Sequence, residues 1–152
     1  MTNLIPLPQN RQQRRSYKKF EKKVGTLTLK QFFELLRCPK NRDEVFRSLQ
    51  PKVRRKFKKL LAEHCDVIAA IATEDILHEK TGKVYKKGTV FLIDGHTRRV
   101  IWTNEYEEGL GNWCDHLPEE INVTYYYIAS YKDLCDLYDH FDNSSSTEKT
   151  AD

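Results

Sequence analysis

The stretch "FLIDGHTRRVIW", residues 91–102, runs an apolar, strand-forming segment into Asp94 and Gly95 and then delivers His96, Thr97, Arg98 and Arg99 before returning to Val-Ile-Trp. A carboxylate, an imidazole, a hydroxyl and two guanidinium groups thus follow a strand within six residues. If Gly95 turns the chain into a helix, the first backbone N–H groups of that helix point outward with the positive end of its dipole, which favours an anion. Gly95 permits a tight turn and close approach of a ligand. His96 and Thr97 add donors, and Arg98 or Arg99 adds a planar fork suited to phosphate. Asp94 would repel a bare phosphate, so it is read as a helix cap, an arginine partner, a Mg²⁺ ligand or a base. An ordinary solvated Asp-Gly turn accounts for the same six residues equally well.

Outward from that stretch, the chain has one domain's length, 152 residues. Hydrophobic residues make up 39% and charged residues 32%, which suits a compact domain carrying a polar arm. No apolar run approaches the roughly 18 residues needed to cross a bilayer, and the first residues lack the apolar core of a signal peptide, so a cytoplasmic protein without membrane contact is expected. Cys38, Cys65, Cys114 and Cys135 lie far apart, and neither they nor the five histidines show paired ligand spacing; no zinc is expected.

Charge is strongly polarised. Residues 1–59 hold 18 Lys/Arg against 4 Asp/Glu, and residues 103–152 hold 2 against 12. A basic end attracts polyanions. Residues 1–26 read as a basic, flexible arm in which Arg11, Arg14, Arg15, Lys18 and Lys19 alternate with Tyr17 and Phe20, a mixture that suits phosphates and unpaired bases. A helix opens at Thr28, where Gln31 completes a capping-box spacing. A second starts near Pro51, with Val53, Phe57, Leu60 and Leu61 on one face and Arg54, Arg55, Lys58 and Lys59 on another. The pattern predicts strands at 67–73, around Lys86-Lys87-Gly88, up to Asp94 and at 121–128. An acidic loop is expected from Asn104, and a terminal helix after Ser130 carries Leu134, Leu137, Tyr138 and Phe141. The domain is placed at residues 27–143, with 144–152 a disordered tail.

The 91–102 stretch, with "LYDHFDN" (residues 137–143), resembles the ParB/sulfiredoxin fold, and in particular small stand-alone ParB-like nuclease-domain proteins of phages and plasmids. Related free serine kinases carry an Asp-Gly-His-x-Arg sequence, which Asp94, Gly95, His96 and Arg98 match. The resemblance implies an α+β fold: a small mixed sheet with packed helices, in which a strand runs into a phosphate-binding helix start. His96 stands where sulfiredoxin has its reactive cysteine, so sulfinic-acid reduction is not expected. The chain also ends where the partition proteins begin their helix-turn-helix domain.

Three functions compete. The first is a DNA-binding, nuclease-like protein of a mobile element, acting in host cytoplasm, in which Asp94 positions Mg²⁺ or acts as base and His96 and Arg98 meet the scissile phosphate. Asp43, Glu44 and Glu74 are its candidate further carboxylates, and DNA is favoured over RNA. The second is a nucleoside triphosphate-binding or phosphoryl-transfer domain. The third is a non-catalytic protein that binds a host enzyme through the acidic segment 105–120, where Glu105, Glu107, Glu108 and Glu120 surround Trp113.

Overall fold

The computed structural model describes residues 17–41, 55, 61–108 and 117–150, without the side chains of 63, 108 and 143–150. Five strands form the main sheet: β1 (Lys22–Thr28), β2 (Leu36–Arg37), β3 (Asp66–Ala72), β6 (Val90–Asp94) and β7 (Glu120–Ile128), in the order β1-β7-β3-β6-β2. The sheet is mixed. β1 and β7 are antiparallel, β7 and β3 parallel, β3 and β6 antiparallel, and β6 and β2 parallel. Two short strands, β4 (Ile76–His78) and β5 (Lys83–Tyr85), make a separate hairpin. The helices bounded within the described residues are α1 (Leu29–Glu34), α2 (His96–Glu108) and α3 (Tyr131–Thr150). The architecture is α+β, as the sequence pattern implies.

Both faces of the sheet are covered. On one, Ile68, Ala70 and Ala72 of β3, Phe91 and Ile93 of β6, and Tyr126 and Ile128 of β7 pack with Leu134, Leu137 and Phe141 of α3. On the other, Val67, Ala69, Leu92, Ile121 and Val123 pack with Phe32 of α1 and with Ile101 and Trp102 of α2. The period-2 alternation of side chains sends neighbouring residues of β3 to opposite cores, which is why "VIAAIA" is apolar without interruption. The helix predicted at Thr28 forms: Gln31 N–H donates to Thr28 Oγ1 at 3.1 Å, and Thr28 N–H donates to Gln31 Oε1 at 2.9 Å.

Three boundaries differ from the sequence reading. The arm does not extend to residue 26, because Lys22–Thr28 is a strand with a continuous register on β7. Tyr17 and Phe20 pack against the α3-side core, Tyr17 stacking on His140 at 4.2 Å, and are not offered to bases. Lys19 pairs with Asp136 at 2.9 Å, while Lys18 is exposed. At the other end, α2 continues through the expected acidic loop as far as Glu108, and α3 continues through the expected tail as far as Thr150. Neither run contains Gly or Pro to stop a helix already nucleated by core contacts. Of the basic helix near Pro51, Arg55 is helical and exposed and Leu61 is 42% exposed. Arg54, Lys58, Lys59, Val53, Phe57 and Leu60 lie outside the described residues, as do Arg11, Arg14, Arg15, Asp43, Glu44, Trp113 and Cys114.

Candidate functional site

β6 ends at Asp94 and α2 begins at His96, with Gly95 between them at φ +126°. That conformation is one which side chains resist, and a Cβ at Gly95 would meet Val67 Cγ1 at 3.2 Å. Arg99 N–H donates to Gly95 O at 2.8 Å, the first bond of the helix ladder. The first N–H groups of a helix precede any carbonyl of that helix that could accept from them. This is the strand-to-helix turn that the 91–102 stretch predicts, with Ile93 and Ile101 both in the cores.

The side chains of the turn are not arranged as expected. His96 and Arg98 face the interior, with relative exposures of 4% and 8%. Cys38 N–H donates to His96 Nε2 at 3.1 Å, so that nitrogen is unprotonated and its lone pair is occupied. Burial first, then the Arg99 cation, depresses the imidazole pKa to about 3, and the ring is neutral. Burial also pushes the Cys38 thiol up to about 12, which removes it as a nucleophile. Arg98 Nη1 donates to His64 O at 2.8 Å and to Asp66 O at 2.7 Å, and its Nη2 lies 3.7 Å from Asp94 Oδ2. Arg99 donates to Leu35 O and is half-buried. Thr97 is the one member of the turn's donor set whose side chain is half-exposed without an internal hydrogen bond among those of the described residues.

A nuclease centre needs several carboxylates around its metal. Asp94 faces Arg98, and Glu74 lies at the other end of the sheet: Asp94 is opposite Ile68 at the start of β3, while Glu74 follows the end of β3 at Ala72. Among the described residues, no three His, Cys, Asp or Glu side chains come together to hold a metal. Of the four candidate carboxylates, Asp94 is the one described at the turn, and Asp43 and Glu44 lie outside the described residues. In the acidic segment of the third reading, one residue is placed differently from the expectation. Glu105 is not on a contact surface but 1% exposed, on the core-facing side of α2 one turn beyond Ile101 and Trp102. Glu107, Glu119 and Glu120 are exposed.

The strand directions bring other residues to the turn. The C-terminal ends of β2 and β6 and the N-terminal ends of β3 and β7 share one end of the sheet. The loop after β2 is fixed there by His96 on Cys38, by Asn41 N–H on Cys38 O at 2.9 Å, and by Asn41 Nδ2 on the Tyr138 hydroxyl at 3.0 Å. The 3₁₀ turn before β3 (Ala62–Cys65) is fixed there by Arg98. Asp66 is held by Asn122 Nδ2 at 3.1 Å. Residues 42–60 join these two anchor points, and hold eight Lys/Arg against two Asp/Glu. His96 and Arg98, two residues apart, therefore hold the two flanks of the most basic internal segment. Sequence reasoning missed the parts that Asn41, His64, Asp66 and Tyr138 play at this end of the sheet, since the bonds that tie them there span 32 or more positions and no spacing announces them.

No helix among the described residues is long and apolar enough to cross a membrane. No protein-family model matches the chain, and no curated protein or solved structure matches it either.

Proposed function

We propose that this chain is a DNA-binding domain of ParB/sulfiredoxin-like type that grips backbone phosphate without cutting it. The observation that carries the reading is the joint anchoring of both flanks of residues 42–60 beside the start of α2. The polyanion meets the lysines and arginines of that segment, including exposed Arg55, with Thr97 and the leading N–H groups of α2 as neighbouring donors. Arg11, Arg14, Arg15 and Lys18 extend the basic region from the N-terminal side. His96 and Arg98 are positioning residues. Both are spent on backbone groups, and Asp94 holds Arg98 in place where the nuclease reading needs a metal ligand or base.

Fluorescence anisotropy of a labelled duplex across a salt series tests this. Affinity is expected to be largely independent of sequence and to fall linearly with log salt, with a slope of about −0.9 for each phosphate neutralised. Replacing Arg54, Arg55, Lys58 and Lys59 by Ala should flatten that slope, while Mg²⁺ should produce no nicking of plasmid DNA. Wild type that fails to bind at low salt, or a quadruple variant with an unchanged slope, would sink the proposal. Mg²⁺-dependent nicking that is lost in Asp94→Asn would restore the nuclease reading.

A further inference from the structure

Among the described residues the sheet has one long open edge, β1. Five of its seven residues are exposed, and its register on β7 runs from Lys22↔Tyr126 to Thr28↔Glu120 without a bulge. The opposite edge, β2, has only two residues. An edge strand presents unpaired N–H and C=O groups, and proteins blunt such edges with a proline, a bulge or charged side chains, lysine above all. The centre of β1 carries none of these. It reads Val24-Gly25-Thr26, and Val24 is 72% exposed. Its lysines sit at one end, with Lys22 Nζ 6.0 Å from the centre of the Tyr126 ring and Lys23 Nζ 5.5 Å from that of Tyr125. Beside the other end, on β7, lies exposed Glu120.

We infer that two copies of this chain pair antiparallel through β1, about a twofold axis at Gly25, into one continuous sheet. In that register Lys22 of one copy stands opposite Thr28 of the other, and Thr28 is itself opposite Glu120. Opposed residues of antiparallel strands share a face, so Lys22, Thr28 and Glu120 form one row across three strands. The outer two are about 10 Å apart between Cα atoms, a gap that a lysine and a glutamate side chain close together. The twofold axis makes that contact twice. It also sets Val24 of each copy across from Thr26 of the other, an uncharged centre. Parallel pairing would place the lysines of the two copies side by side and is disfavoured by their repulsion. The second copy is thus selected by charge complementarity between the two ends of one strand pair. This inference does not rest on the DNA-binding reading.

Sedimentation equilibrium of the full chain over a concentration series is expected to show a monomer–dimer equilibrium. Val24→Lys sets like charges at the centre of the interface without disturbing a core contact. It should weaken dimerisation about tenfold or more, with the far-ultraviolet circular dichroism unchanged. Lys22→Glu should weaken it too, and Lys22→Glu combined with Glu120→Lys should restore it. A chain that remains monomeric at every concentration overturns the inference, as does a dimer indifferent to Val24→Lys. A double exchange that fails to restore pairing overturns the register.

Discussion

His96 is a neutral hydrogen-bond acceptor held inside the protein, and that gives it a pH signature. Folded, it resists protonation down to about pH 3, whereas its ordinary value is 6.5. Between those values the unfolded chain binds the extra proton, so stability is full above pH 6.5 and is lost as pH falls toward 3. His96→Gln keeps an acceptor for the Cys38 N–H and removes the titration. Urea midpoints at about pH 7 and about pH 4 should therefore differ more for wild type than for His96→Gln; equal differences would mean that His96 is charged in the fold. Arg98 answers a separate test. Arg98→Ala gives up two charge-assisted bonds to carbonyls and is expected to destabilise by about 3 kcal/mol. Arg98→Lys should recover only part of this, because an ammonium on a flexible stem does not reproduce the planar fork. A loss of DNA affinity in Arg98→Ala with unchanged denaturation would instead make the residue a direct phosphate contact.

At the scale of the element, α2 shows what a linear pattern can and cannot carry. Gly95 after an apolar run, with Val-Ile-Trp starting five residues on, is enough to place the strand, the turn and the helix, because backbone geometry and local apolar spacing are written in adjacent residues. The capping box of α1 was legible for the same reason. The direction of the polar side chains was not. Arg98 and Glu105 lie on the face that also carries Ile101 and Trp102, while His96, on another side of the helix start, meets Cys38 and Tyr138; burial at both places is decided by elements far away in sequence, the loop after β2, the turn before β3 and α3. Lys22 and Lys23 misled differently: charges on an edge strand look like a solvated arm, since only the partner β7, about a hundred residues on, makes them a strand. Glu105 gives this level its prediction. Both carboxylate oxygens are buried without a hydrogen-bond partner among the described residues. Leaving a polar group so buried costs about 1–3 kcal/mol, more when it is charged. Glu105→Leu, of similar volume and apolar, is expected to raise the thermal midpoint. A lower midpoint would show that the carboxylate does find a partner.

For the whole molecule, the polarised charge and the fold have to be separated before either is tested. Cutting at residue 26, where the sequence suggests that the arm ends, would remove most of β1. It would also remove the Tyr17 and Phe20 packing against the core, the bond from Tyr17 N–H to the Tyr126 hydroxyl at 3.1 Å, and the Lys19–Asp136 pair. Against a net stability of about 5–15 kcal/mol, losing an edge strand with its aromatic staple is expected to abolish cooperative unfolding. Cutting at residue 16 leaves all of those contacts in place and removes Arg11, Arg14 and Arg15. That shorter deletion should keep the thermal transition and reduce the salt slope of DNA binding by at most about 3 units, at roughly 0.9 per cation lost. The slope that survives belongs mainly to the segment between the two anchors, residues 42–60, and should fall further, by up to about 3.6 units at roughly 0.9 per cation, when Arg54, Arg55, Lys58 and Lys59 are also replaced. If the residue-16 deletion alone brings the slope to zero, the anchored segment contributes nothing to binding. His96 and Arg98 would then hold a structural loop, and the arm would be the whole of the polyanion site.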